Sequence, residues 1–285
     1  MTAEVINGRL IAEKIRNEIK KEVERIKSKY GFAPNITTMN VGNDPGSKLY
    51  MKLRDKACAE VGIVSNHLEF PENISEKKLI EEINKLNNNK KVHGILIQLP
   101  LPKDISQQTL LNALSPKKDV EGLNPQNIGR TLNGDENIIP ITPLSVLTIL
   151  EYKKISLKGK DVVLINHSNH VGRPLVALFL NRNATVSICH VFTKDLKKYT
   201  SQADILVSAT GVPKLIKKDH VKKGSFVIDV GIISTKEGIC GDVDFEDVLE
   251  KTGIITPVPG GVGPVTVASS LKNMIKTFSN CIEDK

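Results

Sequence analysis

The stretch DVVLINHSNHVGRPLVALFL (residues 161–180) decides the fold class. A run of aliphatic residues ends in a polar turn, and an apolar series follows, so the segment reads as strand, tight turn, helix. Working outward, three further β-rich runs come at regular intervals: ATVSICH (184–190), DILVSAT (204–210) and SFVIDVG (225–231). Helical or polar segments separate them. Strands that alternate with helices imply an α/β unit with a parallel sheet and right-handed crossovers.

The first half alternates in the same way. Leu10, Ile11, Ile15, Ile19, Val23 and Ile26 recur at helical spacing and stop at Gly31, a C-terminal cap. NITTMNV (35–41) reads as a strand. GSKLYMKLRDKACAEVGI (46–63) reads as a helix capped by Ser47, with Leu49, Leu53, Ala57 and Val61 as its apolar stripe. Tyr50 and Arg54 lie four residues apart on one face of that helix and flank the stripe. IVSNHLEF (63–70) is a strand, 75–88 an amphipathic helix, and VHGILIQLP (92–100) a buried strand ended by prolines. The boundary between two domains falls near NIIPITP (137–143), and the last 20 or so residues read as a helix that returns to the first domain.

Composition narrows the function classes. The formal net charge is +8, yet the lysine pairs are spread along the chain and aromatics make up only 4%, which argues against a nucleic-acid surface. Small anionic ligands remain. The longest apolar runs are too short to span a bilayer, and MTAEVINGRL has no signal-peptide pattern. The four cysteines show no paired spacing, which fits reduced thiols in the cytoplasm and no metal site.

Residues 161–180 read as a nucleotide site, with a plain strand–helix connection as the alternative. A helix that starts after a strand offers free backbone N–H groups to a pyrophosphate. Only Gly172 of the usual glycines is present, and Asn166 stands where the first would be; asparagine tolerates left-handed backbone angles. After the next strand, no acidic residue occupies the place that would hold an NAD ribose hydroxyl. His167, Thr193 and Lys194 can instead approach a 2′-phosphate, so the pattern leans to NADP, with NAD open. TPVPGGVGPVTVAS (256–269) packs three prolines and three glycines into residues 257–264 and reads as a ligand-contacting loop. Gln98 ends a buried strand with an amide that both donates and accepts. Residues 116–130 read as a polar loop carrying Asp119 and Glu121.

INGRLIAEKI, VGNDPGSKLYMKLRDKACAEVGI, GILIQLPLP, PKKDVEGLNPQNIGR, HSNHVGRPL, ADILVSATGVP, VIDVGI and TPVPGGVGPVTVA occur in this order. Together they resemble the methylenetetrahydrofolate dehydrogenase/cyclohydrolase family over nearly the whole chain. The resemblance implies two α/β domains around a cleft, usually as a homodimer. Residues 1–140, joined by a C-terminal helix at 265–285, would hold tetrahydrofolate. Residues 141–264 would form a Rossmann-like NAD(P)-binding domain. It further implies that Tyr50 stacks on the folate and that Gln98 hydrogen-bonds the catalytic side chain. Leu99, Pro100 and Leu101 would line the folate pocket, with Pro259, Gly260 and Gly263 opposite. Asn166, His167 and Ser168 would form the phosphate turn; Thr142, Ala209, Gly211, Gly231 and Ile232 would lie around the cofactor.

Two positions depart from the family pattern. Arg54 stands where the family has its catalytic lysine, and Glu121 where it has an aspartate that grips the pterin. Lys52 and Lys56 are rotated about 200° from Arg54 at about 100° per residue, so neither replaces it simply. Glutamate adds on the order of 1.5 Å of reach, one single bond. Hydride transfer to NAD(P) needs mainly positioning, whereas opening the methenyl ring with water needs a proton carrier. A guanidinium, with a pKa above about 12, does not give up its proton. The expectation is therefore a dehydrogenase whose cyclohydrolase activity is weak or absent. A fully bifunctional enzyme and a non-catalytic folate or nucleotide binder are the alternatives.

Overall fold

The structure is a computed structural model that describes residues 3–236 and 238–283. In chain order the elements are β1 (Glu4–Val5), α1 (Gly8–Tyr30), β2 (Asn35–Val41), α2 (Pro45–Val61), β3 (Val64–Phe70), α3 (Glu76–Asn88) and β4 (Gly94–Ile97). Then come α4 (Gln107–Ala113), α5 (Pro125–Leu132), α6 (Ile141–Tyr152), β5 (Asp161–Ile165), α7 (Gly172–Leu180), β6 (Thr185–Cys189), α8 (Leu196–Thr200), β7 (Ile205–Ser208) and β8 (Phe226–Asp229). The chain closes with β9 (Ile233–Thr235), β10 (Gly238–Cys240), α9 (Phe245–Val248), β11 (Ile254–Ile255) and α10 (Val262–Ile282).

The chain forms two compact α/β units. One comprises the N-terminal residues through Ala12, Thr131–Asp135 and Thr142–Thr266. Its sheet has the order β1-β11-β8-β7-β5-β6, with every pairing parallel. Strand β6 follows β5 on one side and β7 lies on the other, so the winding reverses between β5 and β7, as in Rossmann-type sheets. Val163, Ile165, Leu206 and Val227 are nearly or fully buried and form one core with Cys189 and Ile255. The four β-rich runs of the second half are thus adjacent parallel strands, as their spacing implies.

The other unit comprises Glu13–Arg130, Glu136–Ile141 and the residues from Val267 onward. Its sheet, β3-β2-β4, is parallel with β2 in the middle. Met39 and Val41 of β2 pack with Leu79 and Ile83 of α3 and Leu110 of α4. Asn273 of α10 donates to the carbonyls of Val120 and Ile139 at 2.9 and 2.7 Å, which ties the C-terminal helix into this unit.

Several local expectations change. The N-cap of α2 is Asp44, whose carboxylate accepts the Ser47 N–H at 2.7 Å, with Pro45 opening the helix. The inward face of α2 is Ser47, Met51, Arg54, Ala57, Cys58 and Val61, while Leu49 and Leu53 are 58% and 49% exposed. Leu10 of α1 also faces out. Residues 116–130 are not one polar loop: α5 begins at Pro125, and Asp119 is fully buried. Residues 256–269 are a loop only to 261, because α10 starts at Val262; Gly263 and Pro264 occupy a first helical turn, where proline is tolerated.

Candidate functional site

Among the described residues, Arg54 is the largest fully buried side chain of the second unit. Helix α2 is held at its start by Ser47, whose hydroxyl donates to the Leu99 carbonyl at 3.0 Å, so the helix is anchored to the end of β4. Its inward face then carries Arg54 to the middle of the sheet. There Nη2 donates to Thr38 Oγ1 of β2 at 3.1 Å and makes a long contact of 3.5 Å with Gln98 Oε1. Gln98 itself is turned by a bond from its Nε2 to the Leu99 carbonyl at 3.0 Å. Nε and Nη1 of Arg54 are buried and have no hydrogen-bond partner. Leaving N–H groups of a buried cation unmet is costly, so each calls for an acceptor such as a water or a ligand atom. Lys52 and Lys56 point to solvent.

Tyr50 sits one turn before Arg54, with the guanidinium carbon 5.5 Å from the centre of its ring. Burial raises its phenol above the ordinary range, assisted by the Glu121 charge. Glu121 is placed by Asp119, whose carboxylate accepts from the backbone of Gly122 at 3.0 Å and Asn124 at 2.8 Å and from the Asn127 side chain at 3.0 Å. Asp119 is therefore a buried scaffold of the loop and not a solvated charge; burial pushes it up to about 6. Burial likewise pushes Glu121 up to about 7, against the opposing pull of Arg54. So Tyr50, Arg54, Gln98 and Glu121, which come from α2, the end of β4 and the segment between α4 and α5, converge within this unit. Thr38 joins them, though as a threonine inside a strand it gives no sign of this in the sequence. Leu99 and Leu101 are half-buried against the core and Pro100 is exposed.

In the first unit, one hydrogen-bond network joins most positions expected around a nucleotide. Asn166 Nδ2 donates to the Ala209 carbonyl at 2.5 Å, bridging the turns after β5 and β7. Its Oδ1 accepts the N–H groups of Ser168 at 2.8 Å and Gly172 at 3.0 Å. Ser168 accepts the N–H groups of Val171 and Arg173, so the start of α7 is closed by its own turn and not left with open donors. Asn166 does this through its side chain; it is not among the left-handed residues. Gly172 is needed there because a Cβ would stand 2.2 Å from the Asn166 carbonyl oxygen.

Beyond Ala209 the network runs into two buried carboxylates that the sequence reading passed over. Asp242 accepts from Ser208 Oγ at 2.7 Å and from the backbone of Thr210 and Gly211 at 2.5 and 2.9 Å. Asp229 accepts from the backbone of Gly231, Asp242 and Val243, and burial pushes it up to about 7 even so. Gly211, at φ +72, has open space where a Cβ would stand, so its backbone can be approached closely. An open glycine backbone at a switch point between parallel strands fits a dinucleotide. Thr193 accepts the His190 N–H at 2.9 Å, His167 and His190 lie ring to ring at 4.8 Å, and Ile232 is 67% exposed. Thr142 lies in the first turn of α6. Pro259 and Gly260 (φ +105) belong to this unit, in the turn before α10, where the Gly260 carbonyl accepts the N–H of Gly8 at 3.0 Å; Gly263 follows in the helix.

Among the described residues, no cluster of His, Cys, Asp or Glu could hold a metal ion, and no helix is long and apolar enough to cross a membrane. Residues 6–121 match the family profile for the catalytic domain of tetrahydrofolate dehydrogenase/cyclohydrolase, and residues 140–282 match that for its NAD(P)-binding domain. The chain is 51% identical to the bifunctional protein FolD of Methanosarcina barkeri, over 95% of this chain and 94% of that one. It superposes on FolD methylenetetrahydrofolate dehydrogenase/cyclohydrolase from Campylobacter jejuni with a TM-score of 0.95 at 45% identity, covering 98% and 99% of the two chains. The Trypanosoma brucei enzyme, solved with NADP and an inhibitor, gives 0.94 at 35% identity, covering 99% of each. Two family profiles that together span most of the chain, relatives near 50% identity and a nucleotide-type switch point in the first unit place the chain in the tetrahydrofolate dehydrogenase/cyclohydrolase family, with Arg54 as a departure from its pattern.

Proposed function

We propose that the protein oxidises 5,10-methylenetetrahydrofolate to the 5,10-methenyl cation with NAD(P)+, and that it hydrolyses the methenyl product poorly. One observation carries the reading: the side chain at position 54 is a fully buried guanidinium with Nε and Nη1 unpaired, while the neighbouring lysines of α2, Lys52 and Lys56, are exposed. As the resemblance implies, Tyr50 stacks on the folate, and Glu121 accepts from pterin N–H groups. The turns at Asn166–Ser168, Ala209–Gly211 and Gly231–Ile232, with Thr142 and Thr193, hold the nucleotide. When bound, NAD(P)+ supplies the hydride acceptor. Dehydrogenation then needs the methylene carbon held in place, and a fixed cation with free N–H groups can hold a substrate oxygen or nitrogen. Hydrolysis adds water to the methenyl carbon, opens the ring and releases a proton; Arg54 cannot accept that proton.

A second reading is favoured by Glu121, which burial brings to about 7, near the pH at which a general base works best. In that reading both activities survive, with Glu121 as the proton acceptor. NADP is the proposed nucleotide. The acid nearest the end of β6, Asp195, spends its carboxylate on the Lys198 N–H at 3.1 Å, capping α8, while His167 and Lys194 are exposed and can approach a phosphate beside Thr193. A homodimer in the cytoplasm is proposed from the resemblance.

The test is steady-state turnover of 5,10-methylenetetrahydrofolate with NADP and with NAD. Reduction of either nucleotide at rates typical of enzymes, about 1 s⁻¹ or more, is expected. Calorimetric binding of both ligands without turnover would overturn the reading in favour of a non-catalytic binder.

A further inference from the structure

Strand β2 is the middle strand of its sheet, buried along nearly its whole length, yet it carries Thr37, Thr38 and Asn40. Buried parallel strands are normally near-continuous aliphatic runs, so each polar group here calls for a partner. Met39 and Val41 point into the core with α3, and by alternation Thr38 points to the opposite sheet face. That face meets the inward side of α2, and the atom that meets Thr38 is Arg54 Nη2, at 3.1 Å, with both side chains fully buried. The contact to Gln98 is longer, at 3.5 Å. Valine has nearly the same shape as threonine and would suit a buried strand better, so the hydroxyl is explained by what it accepts.

We infer that Thr38 is a positioning residue for the arginine form of this site: its hydroxyl oxygen fixes the guanidinium so that Nε and Nη1 face the folate. The inference rests on the proposed dehydrogenase activity. It is specific to arginine, because a lysine at position 54 would end one bond earlier, about 1.3 Å short of Nη2. Thr38 thus acts through Arg54 and does not touch the reacting carbon.

The experiment is a double-mutant cycle with Thr38→Val, Thr38→Ser, Arg54→Lys and the Thr38→Val/Arg54→Lys pair. It is read as dehydrogenase kcat, KM for each substrate and calorimetric folate affinity, with thermal melting to confirm folding. Thr38→Val is expected to lower kcat roughly 10- to 100-fold, the effect of removing a hydrogen bond to a charged group, and to leave the nucleotide KM unchanged. Thr38→Ser, which keeps the oxygen, should stay within about threefold of the parent. In the Arg54→Lys background, Thr38→Val should change kcat by less than about threefold, so the two positions are coupled. Equal losses from Thr38→Val in both backgrounds, or equal losses from the serine and valine variants, would overturn the inference. If the valine variant does not fold, the serine variant decides alone: a tenfold loss there contradicts it. An unsubstituted protein without turnover would instead refute the dehydrogenase reading.

Discussion

Replacing Arg54 by lysine separates the two half-reactions. Nη2 lies 3.1 Å from Thr38 Oγ1, and a lysine Nζ, one bond shorter, would stand about 4.4 Å away if it pointed the same way. The contact is therefore lost. A hydrogen bond to a charged group contributes about 1.5–3 kcal/mol, so dehydrogenation should fall roughly 10- to 100-fold if that placement is used in the transition state. Hydrolysis gains a group that can exchange a proton, and general acid–base catalysis contributes about 10²- to 10⁴-fold. Taking central values, hydrolysis of 5,10-methenyltetrahydrofolate should rise about 10- to 100-fold net while dehydrogenation declines. The assay follows loss of the methenyl species after subtraction of the buffer rate, beside nucleotide reduction by the same preparation. If both rates fall together, or hydrolysis does not change, then proton transfer at position 54 is not what limits ring opening, and the reasoning fails.

Three further outcomes follow from the buried carboxylates. Glu121 is raised to about 7, so folate affinity should increase as pH rises through that value and its side chain becomes an anion; in Glu121→Gln the calorimetric profile should be flat. Asp229 is also raised to about 7, from an ordinary 3.8, so the folded state holds its proton more tightly than the unfolded chain does. Its contribution to stability is full below pH about 4 and is lost as pH rises through about 7; melting temperature measured against pH should show this decline, and Asp229→Asn should remove it. Asp242→Asn replaces an acceptor of three donors by a half-donor amide, and should raise the nucleotide KM about tenfold with folate affinity unchanged, by the cost of unmet buried N–H groups.

The parallel sheet was legible because fully buried strands leave unbroken apolar runs, and VVLI, ILV and FVI did so. Helix α6 was missed for the same physical reason in reverse. ITPLSVLTILEY is apolar nearly all round, and a helix buried on every side has no 3.6-residue stripe to detect. The orientation of α2 was misread because Leu49 and Leu53 form a helical stripe that faces solvent, while the inward position holds an arginine. A hydrophobic pattern cannot announce a buried cation; only its partners do. Those partners, Thr38 and Gln98, lie 16 and 44 residues away in the chain. Asp229 and Asp242 escaped attention because an acidic residue that accepts backbone N–H groups looks, in one dimension, like any other acid. The motifs of the site, by contrast, stood out through their prolines, glycines and Asn166, whose side chain and not its backbone angle makes the turn.

Arg54 is a cation that keeps its proton, and the unsubstituted protein shows the consequence. Purified enzyme is given 5,10-methenyltetrahydrofolate, and ring opening is compared with the buffer rate across pH 6–9, with dehydrogenase turnover recorded on the same sample. Brisk nucleotide reduction is expected together with ring opening close to the uncatalysed rate at every pH, so that the methenyl species accumulates. Ring opening as fast as nucleotide reduction, with a pH profile that disappears in Arg54→Ala, would contradict it.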